Sequence, residues 1–223
     1  MQGLLFNDWN TLPFIILALV ISFTIHEFAH AYSAYKFGDP TAYQMGRVSL
    51  NPMVHLDLFG SIVMLLAGIG WAKPVPVNRN NFKNPRLMGI IVTAAGPLSN
   101  LILAFLCVFL YVLVQQQGWQ GTMSKGSSDA IDQFFIRMII TNLSLFLFNL
   151  IPIPPLDGYR ILQDILPLRA NMRLQRFEQW AFIVFLLILY IRPLRQITLD
   201  PYFMLIDDII NWMYRPIAAM LGV

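Results

Sequence analysis

The chain has three histidines, and two of them fall with an acid in the stretch "HEFAH": His26, Glu27 and His30. On a helix, residues i and i+4 share a face one turn apart, so the two imidazoles project together at the separation needed to share one metal ion. Zinc takes neutral imidazole nitrogens and carboxylate oxygens in a tetrahedral shell, and a catalytic zinc keeps one position for water. Glu27, beside His26, is then placed to accept that water's proton. H-E-x-x-H alone arises by chance, and a buried, hydrogen-bonded histidine pair is the plainer alternative. Here it lies in an apolar run, where three ionisable groups are costly unless a metal or a catalytic task uses them.

A third ligand has to come from elsewhere. Asp157, in "PPLDGYR", is on spacing alone as much an Asx-turn or helix N-cap residue as a ligand; the need for a third donor favours the metal. His55 and Asp57 form an H-x-D pair in a loop, for which a solvated histidine is the simpler account and a second metal contact the alternative. Asn100 and Asn149 are amides in or beside apolar spans, and hydrogen bonding between helices accounts for Asn100. Cys107, the single cysteine, reads as core packing and excludes an intramolecular disulfide.

These residues need elements to hold them. Of the 223 residues 57% are hydrophobic and 12% charged, and the mean hydropathy is +0.60, which excludes an ordinary soluble domain. The fold class is an all-α integral membrane protein, a polytopic helix bundle with a re-entrant or short-strand segment near the site. Apolar runs predict helices over about 12–37, 87–114, 134–151 and 178–191, against the roughly 20 residues a crossing takes. The first is read as a retained helix, because it ends in HEFAH instead of a small-residue cleavage site. Residues 41–86 read as a re-entrant or strand-bearing segment, with "RVSL" (47–50) as a brief strand, and the 14-residue apolar run 56–69 is short for a crossing. Residues 201–223 form a tail that lies at the interface or crosses. Pro74 and Pro76 block one edge of an extended segment and leave Val75 and Val77 to donate from the other. The whole of 1–223 reads as one membrane-embedded domain.

Loop charges assign the sides. Lys36, Arg47, Lys73, Arg79, Lys83 and Arg86 precede the 87–114 helix, and Arg160, Arg169, Arg173 and Arg176 follow the 134–151 helix, whereas the linker between those helices carries only Lys125. The two basic regions therefore share the cytoplasmic face, provided that 56–69 enters and leaves by one side. This brings Asp157 towards the histidines. The net charge of +3 is scattered over these loops, so no nucleic-acid partner is expected.

Three ordered motifs, His26-Glu27-x-x-His30, "AGPLSN" (95–100) and N-x-x-P-x-x-x-L-D-G (Asn149 to Gly158), together resemble the site-2 protease family of intramembrane zinc metalloproteases. "NPMVHLDLFG" (51–60) and "AKPVPVN" (72–78) resemble its compact prokaryotic branch, which lacks a PDZ insertion. The resemblance covers about residues 20–165. It implies that His26, His30 and Asp157 ligate zinc, that Glu27 is the catalytic base, and that Asn149 binds substrate or stabilises the oxyanion. It also implies a cleft reached by water from the cytosol. The expected function is hydrolysis of a peptide bond in or near a transmembrane helix of another protein, in a prokaryotic cell membrane. A substrate segment would be held extended along Val75 and Val77. A metal or proton transporter, and a catalytically silent scaffold, are the rival readings.

Overall fold

A computed structural model describes residues 10–60, 63, 70–176 and 178–222. Three long helices form its centre: α1 (Leu12–Lys36), α3 (Pro85–Gln116) and α4 (Lys125–Leu150). Each is long and apolar enough to cross a membrane. Between the first two lies the short α2 (Thr41–Gln44). After α4 come α5 (Asp157–Ile165), α6 (Leu168–Arg176), α7 (Glu178–Tyr190), α8 (Arg192–Ile197), α9 (Leu199–Phe203) and α10 (Leu205–Leu221).

The ends of these helices follow from local chemistry. α1 stops at Phe37, ahead of Gly38 at φ +99° and Pro40, a conformation that glycine adopts without steric cost and a residue that cannot continue the ladder. α3 starts where the Asn84 side chain accepts the Leu87 N–H, with Pro85 in the first turn, and Ser124 caps α4 through the Ser127 N–H. Both caps satisfy donors that a helix start leaves open.

The three long helices pack through small and medium side chains. Ala18, Ala104, Cys107, Val108, Met138, Ile139 and Leu143 form the main core, and α10 adds Met213 and Ile217. Ala18, Ala31, Ala34 and Ala104 are fully buried, the close approach that drives helix association in lipid. Leu17, Leu98, Ile102, Phe105 and Leu110 stay exposed, as a lipid-facing surface requires. Cys107 is a buried free thiol.

Two expectations about the connecting segment change. Residues 41–44 form helix α2, and "RVSL" (47–50), expected to be a brief strand within a loop, is a bend without strand pairing. The physical cause is Asp39, whose carboxylate accepts from the Thr41 N–H (3.1 Å) and hydroxyl (2.5 Å), from the Asn78 N–H (2.7 Å) and from the Asn81 amide (2.7 Å). That hub folds the chain after α1 back onto the 78–81 turn. Among the described residues there is no strand; the only bridge joins Leu56 to Ala72, with the Lys73 N–H donating to the His55 carbonyl at 2.8 Å. Most of the 56–69 run lies outside the described residues. The tail is helical, and α10 packs against α3 and α4.

Candidate metal centre and active-site cavity

α1 carries His26 and His30 on its inward face, and α5 delivers Asp157 from its first turn. Their three ligand-capable atoms form a tight triangle: His26 Nε2 to His30 Nε2 is 3.0 Å, His26 Nε2 to Asp157 Oδ2 3.1 Å, and His30 Nε2 to Asp157 Oδ2 3.3 Å. All three residues are buried.

The other ring nitrogens explain why these atoms converge. His26 Nδ1 lies 2.7 Å from Asn100 Oδ1, and His30 Nδ1 lies 2.8 Å from the Val92 carbonyl. Both acceptors require a proton on Nδ1, so in the neutral imidazoles, the form that binds a metal, both Nε2 atoms present lone pairs. Asp157 Oδ2 is a further acceptor, buried without a hydrogen-bond partner. Three lone pairs facing one another repel unless a cation lies between them. Ligand atoms about 2.0–2.1 Å from a tetrahedral zinc are about 3.3 Å apart, close to the separations seen. The donor set fits zinc in number, chemistry and spacing.

α3 supplies the wall behind the histidines. A Cβ on Gly96 would collide with the His30 imidazole and approach His26 Cε1 to 2.7 Å, so the glycine of "AGPLSN" is what lets this helix come so near. Asn100, fully buried, accepts from His26 and donates to the Ser22 carbonyl (3.2 Å) and to Asn142 Oδ1 (2.9 Å), and Asn142 donates in turn to the Met138 carbonyl at 2.8 Å. Interhelical hydrogen bonding was the expectation for Asn100. Its place directly behind His26 adds a second task, orienting the ring. Asn142 went unread, although an amide in the middle of an apolar span is itself a signal. At the other approach, a Cβ on Gly158 would strike the Leu150 carbonyl, and Ile151 O would lie at 2.8 Å. Small size at 158 thus lets α5 sit against the end of α4.

Glu27 is buried and lines the same cavity of about 850 Å3 as His26, His30 and Asp157. Its Oε2 accepts the Val75 N–H at 3.1 Å. This changes the reading of the 72–78 segment. The segment is extended, but the Val75 N–H is directed at Glu27 and is not open to an incoming strand, and the Val75 side chain packs with Ala31 and Ala42. Val77 and Asn149 also line the cavity; Asn149 donates to the Leu145 carbonyl of its own helix at 3.0 Å.

His55 is not a solvated loop residue. It is fully buried, with Nε2 2.7 Å from the Ser49 carbonyl, so the imidazole closes the 49–55 turn, and it does not join the metal triangle. Burial, together with the charge of Arg47, pushes its pKa below 6.5. Asp57 caps the following turn by accepting the Gly60 N–H at 2.7 Å. Arg47, read from sequence only as a topology charge, is buried beneath the 73–75 segment.

Comparison with known proteins agrees with this geometry. The model of peptidase family M50 matches residues 14–132 and 122–191. The chain is 51% identical over 201 residues to "Putative zinc metalloprotease YwhC" of Bacillus subtilis, covering 90% of each protein. It is 29% identical over 210 residues to "Putative zinc metalloprotease Rip2" of Mycobacterium tuberculosis strain H37Rv, covering 90% of this chain and 72% of that one. Over 165 residues it is 29% identical to "Putative zinc metalloprotease MJ0611" of Methanocaldococcus jannaschii, covering 71% and 74%. No solved structure gives a significant match. With most of its length matched by one family model and a relative at this identity, the chain belongs to peptidase family M50, the site-2 proteases, and is a multi-pass membrane zinc metalloprotease.

Proposed function

We propose that the protein is an intramembrane protease that hydrolyses a peptide bond in or near a transmembrane helix of another protein, with His26, His30 and Asp157 holding zinc and Glu27 as general base. The observation that carries this reading is the triangle of two imidazole nitrogens and a carboxylate oxygen beside the buried Glu27, in one cavity and on helices that are apolar outside. Zinc in that triangle supplies a Lewis acid, which lowers the pKa of water towards neutrality and polarises a carbonyl.

The remaining steps belong to the chain's own side chains. Glu27 accepts a proton from the attacking water, whose oxygen bonds to the scissile carbonyl carbon. The same carboxylic acid then returns that proton to the departing amine as the C–N bond breaks. No covalent acyl-enzyme is formed. Asn149 and Val77, on the cavity wall, contact the substrate backbone, which must leave its helical hydrogen bonds before its carbonyl can be reached. Aromatic and aliphatic residues of α7, among them Phe182, Phe185 and Leu189, give the cavity a surface suited to apolar side chains. Val75 lines the cavity while its N–H serves Glu27. The basic loops support an opening of the cavity towards the cytoplasm.

The test is Glu27→Gln in the purified full-length protein, assayed against a panel of single-span membrane proteins with mass analysis of the products. The variant should bind zinc like the parent and lose cleavage, and the parent's cut should map within or beside the hydrophobic segment. Cleavage by Glu27→Gln at the parental rate would remove Glu27 from the role of base. Metal flux without cleavage would support a transporter instead.

A further inference from the structure

Arg47 is only 3% exposed, although it lies in a loop outside the long helices. Burying a guanidinium costs free energy unless its surroundings repay it. Its Nε has no hydrogen-bond partner, but its two terminal nitrogens donate to successive backbone carbonyls, Nη2 to Lys73 and Nη1 to Pro74 at 3.3 Å. The peptide that begins at the Pro74 carbonyl ends at the Val75 N–H, and this N–H donates to Glu27 Oε2 at 3.1 Å. Arg47 and Glu27 form no direct ion pair among the described residues; one peptide group lies between them, its oxygen towards the cation and its hydrogen towards the carboxylate.

The local sequence stiffens this arrangement. Pro74 and Pro76 fix their own φ and hold Lys73 and Val75, the residues before them, in extended conformations. These restrictions narrow the conformations open to the Pro74–Val75 peptide. Once Arg47 grips its carbonyl, the direction of the Val75 N–H is set. A residue that merely tied down the loop could end on any carbonyl; this one ends on the peptide that touches the acid.

We propose that Arg47 is a positioning residue for Glu27, acting through the Pro74–Val75 peptide to hold the carboxylate at one place on the cavity wall. The inference rests on Glu27 as the base. Four variants of the full-length protein test it: Arg47→Met, Arg47→Lys, Val75→Pro, which deletes the N–H and leaves Arg47 in place, and Glu27→Gln. Bound zinc, melting temperature, kcat and KM on one single-span substrate are measured for each.

Arg47→Met and Val75→Pro should retain zinc and lower kcat on the order of 10- to 100-fold, the scale of a small misplacement of a reacting group, with KM little changed. Arg47→Lys keeps the charge but has no planar fork to hold two carbonyls, so it should recover part of kcat. A raised KM with kcat intact would make the segment a substrate ledge and overturn the proposal, as would parental kcat in both variants or loss of zinc in proportion to activity. If Arg47→Met does not fold, Val75→Pro decides. Parental cleavage by Glu27→Gln sinks the base itself, whereas an inactive Glu27→Gln alongside parental Arg47→Met and Val75→Pro sinks only the relay.

Discussion

At the scale of single residues, the site depends on side chains that touch the histidines from behind. Asn100 holds His26 Nδ1 and is held by Asn142. Asn100→Leu would remove the acceptor that fixes the His26 tautomer and leave Asn142 Oδ1 without its donor. Zinc affinity should fall about 10- to 100-fold, the usual effect of losing such a partner, which competition with a chromogenic chelator would measure. Asn142→Leu should have a smaller effect of the same sign, since it reaches His26 only through Asn100. Gly96→Val drives methyl groups into the His30 ring. It should cost about 1–3 kcal/mol of stability, as overpacking does, and reduce bound zinc measured per mole of folded protein.

HEFAH was legible because a spacing of four is a local property of any helix. Asn142 and the burial of Arg47 were not, because nothing within a few residues of either indicates what it faces. The extended run around Val75 was recognised, but its free edge was not confirmed. Whether an N–H is available depends on what packs beside it, and here that is Glu27.

At the scale of elements, Asp39 ties the connecting segment together just after α1 and His55 closes the 49–55 turn within it. Asp39 joins the end of α1 to α2 and to the 78–81 turn. Burial tends to raise its pKa, but the hydrogen bonds from Thr41, Asn81 and Asn78 outweigh it and hold the carboxyl below 3.8. Its contribution to stability is therefore present above that ordinary value and lost as pH falls through the lower folded value. Asp39→Ala should destabilise the protein by about 1–3 kcal/mol, seen as a lower melting temperature at neutral pH.

For His55 the shift has the same direction but the group is a base. With the folded pKa below 6.5, the unfolded chain takes up the proton first as the solution is acidified. Its stabilisation is complete above pH 6.5 and declines as pH falls towards the folded value. His55→Gln should flatten the pH dependence of the melting temperature below 6.5; a slope identical to the parent's would contradict this assignment. Neither device is legible in the sequence, where 41–50 reads as a loop with strand character. Alternating residues carry no information about an aspartate hub assembled from positions 39, 41, 78 and 81.

At the scale of the whole molecule, zinc held at the proposed site would couple metal binding to the fold. α1 and α5 meet where His26, His30 and Asp157 converge, with α3 behind the two imidazoles and α4 behind Asn100. A ligand that binds only the folded state stabilises it by about 4 kcal/mol at a thousandfold excess over Kd. Stripping zinc with a chelator should therefore lower the melting temperature and restoring it should return the parental value. Asp157→Ala should show a lower melting temperature and little response to the chelator.

The sequence by itself determined the membrane class, three spans of sufficient length, and the candidacy of HEFAH and of Asp157 as a zinc site. Each of these follows from composition, from helical periodicity or from a short ordered motif. Tertiary structure decided the rest: that Asp157 Oδ2 comes within 3.1–3.3 Å of both imidazoles, that Asn100 and the Val92 carbonyl set their tautomers, and that the Val75 N–H serves Glu27. The reason is physical. A hydrogen bond between residues 48 or 74 positions apart depends on how helices pack, and packing is a property of all the side chains together.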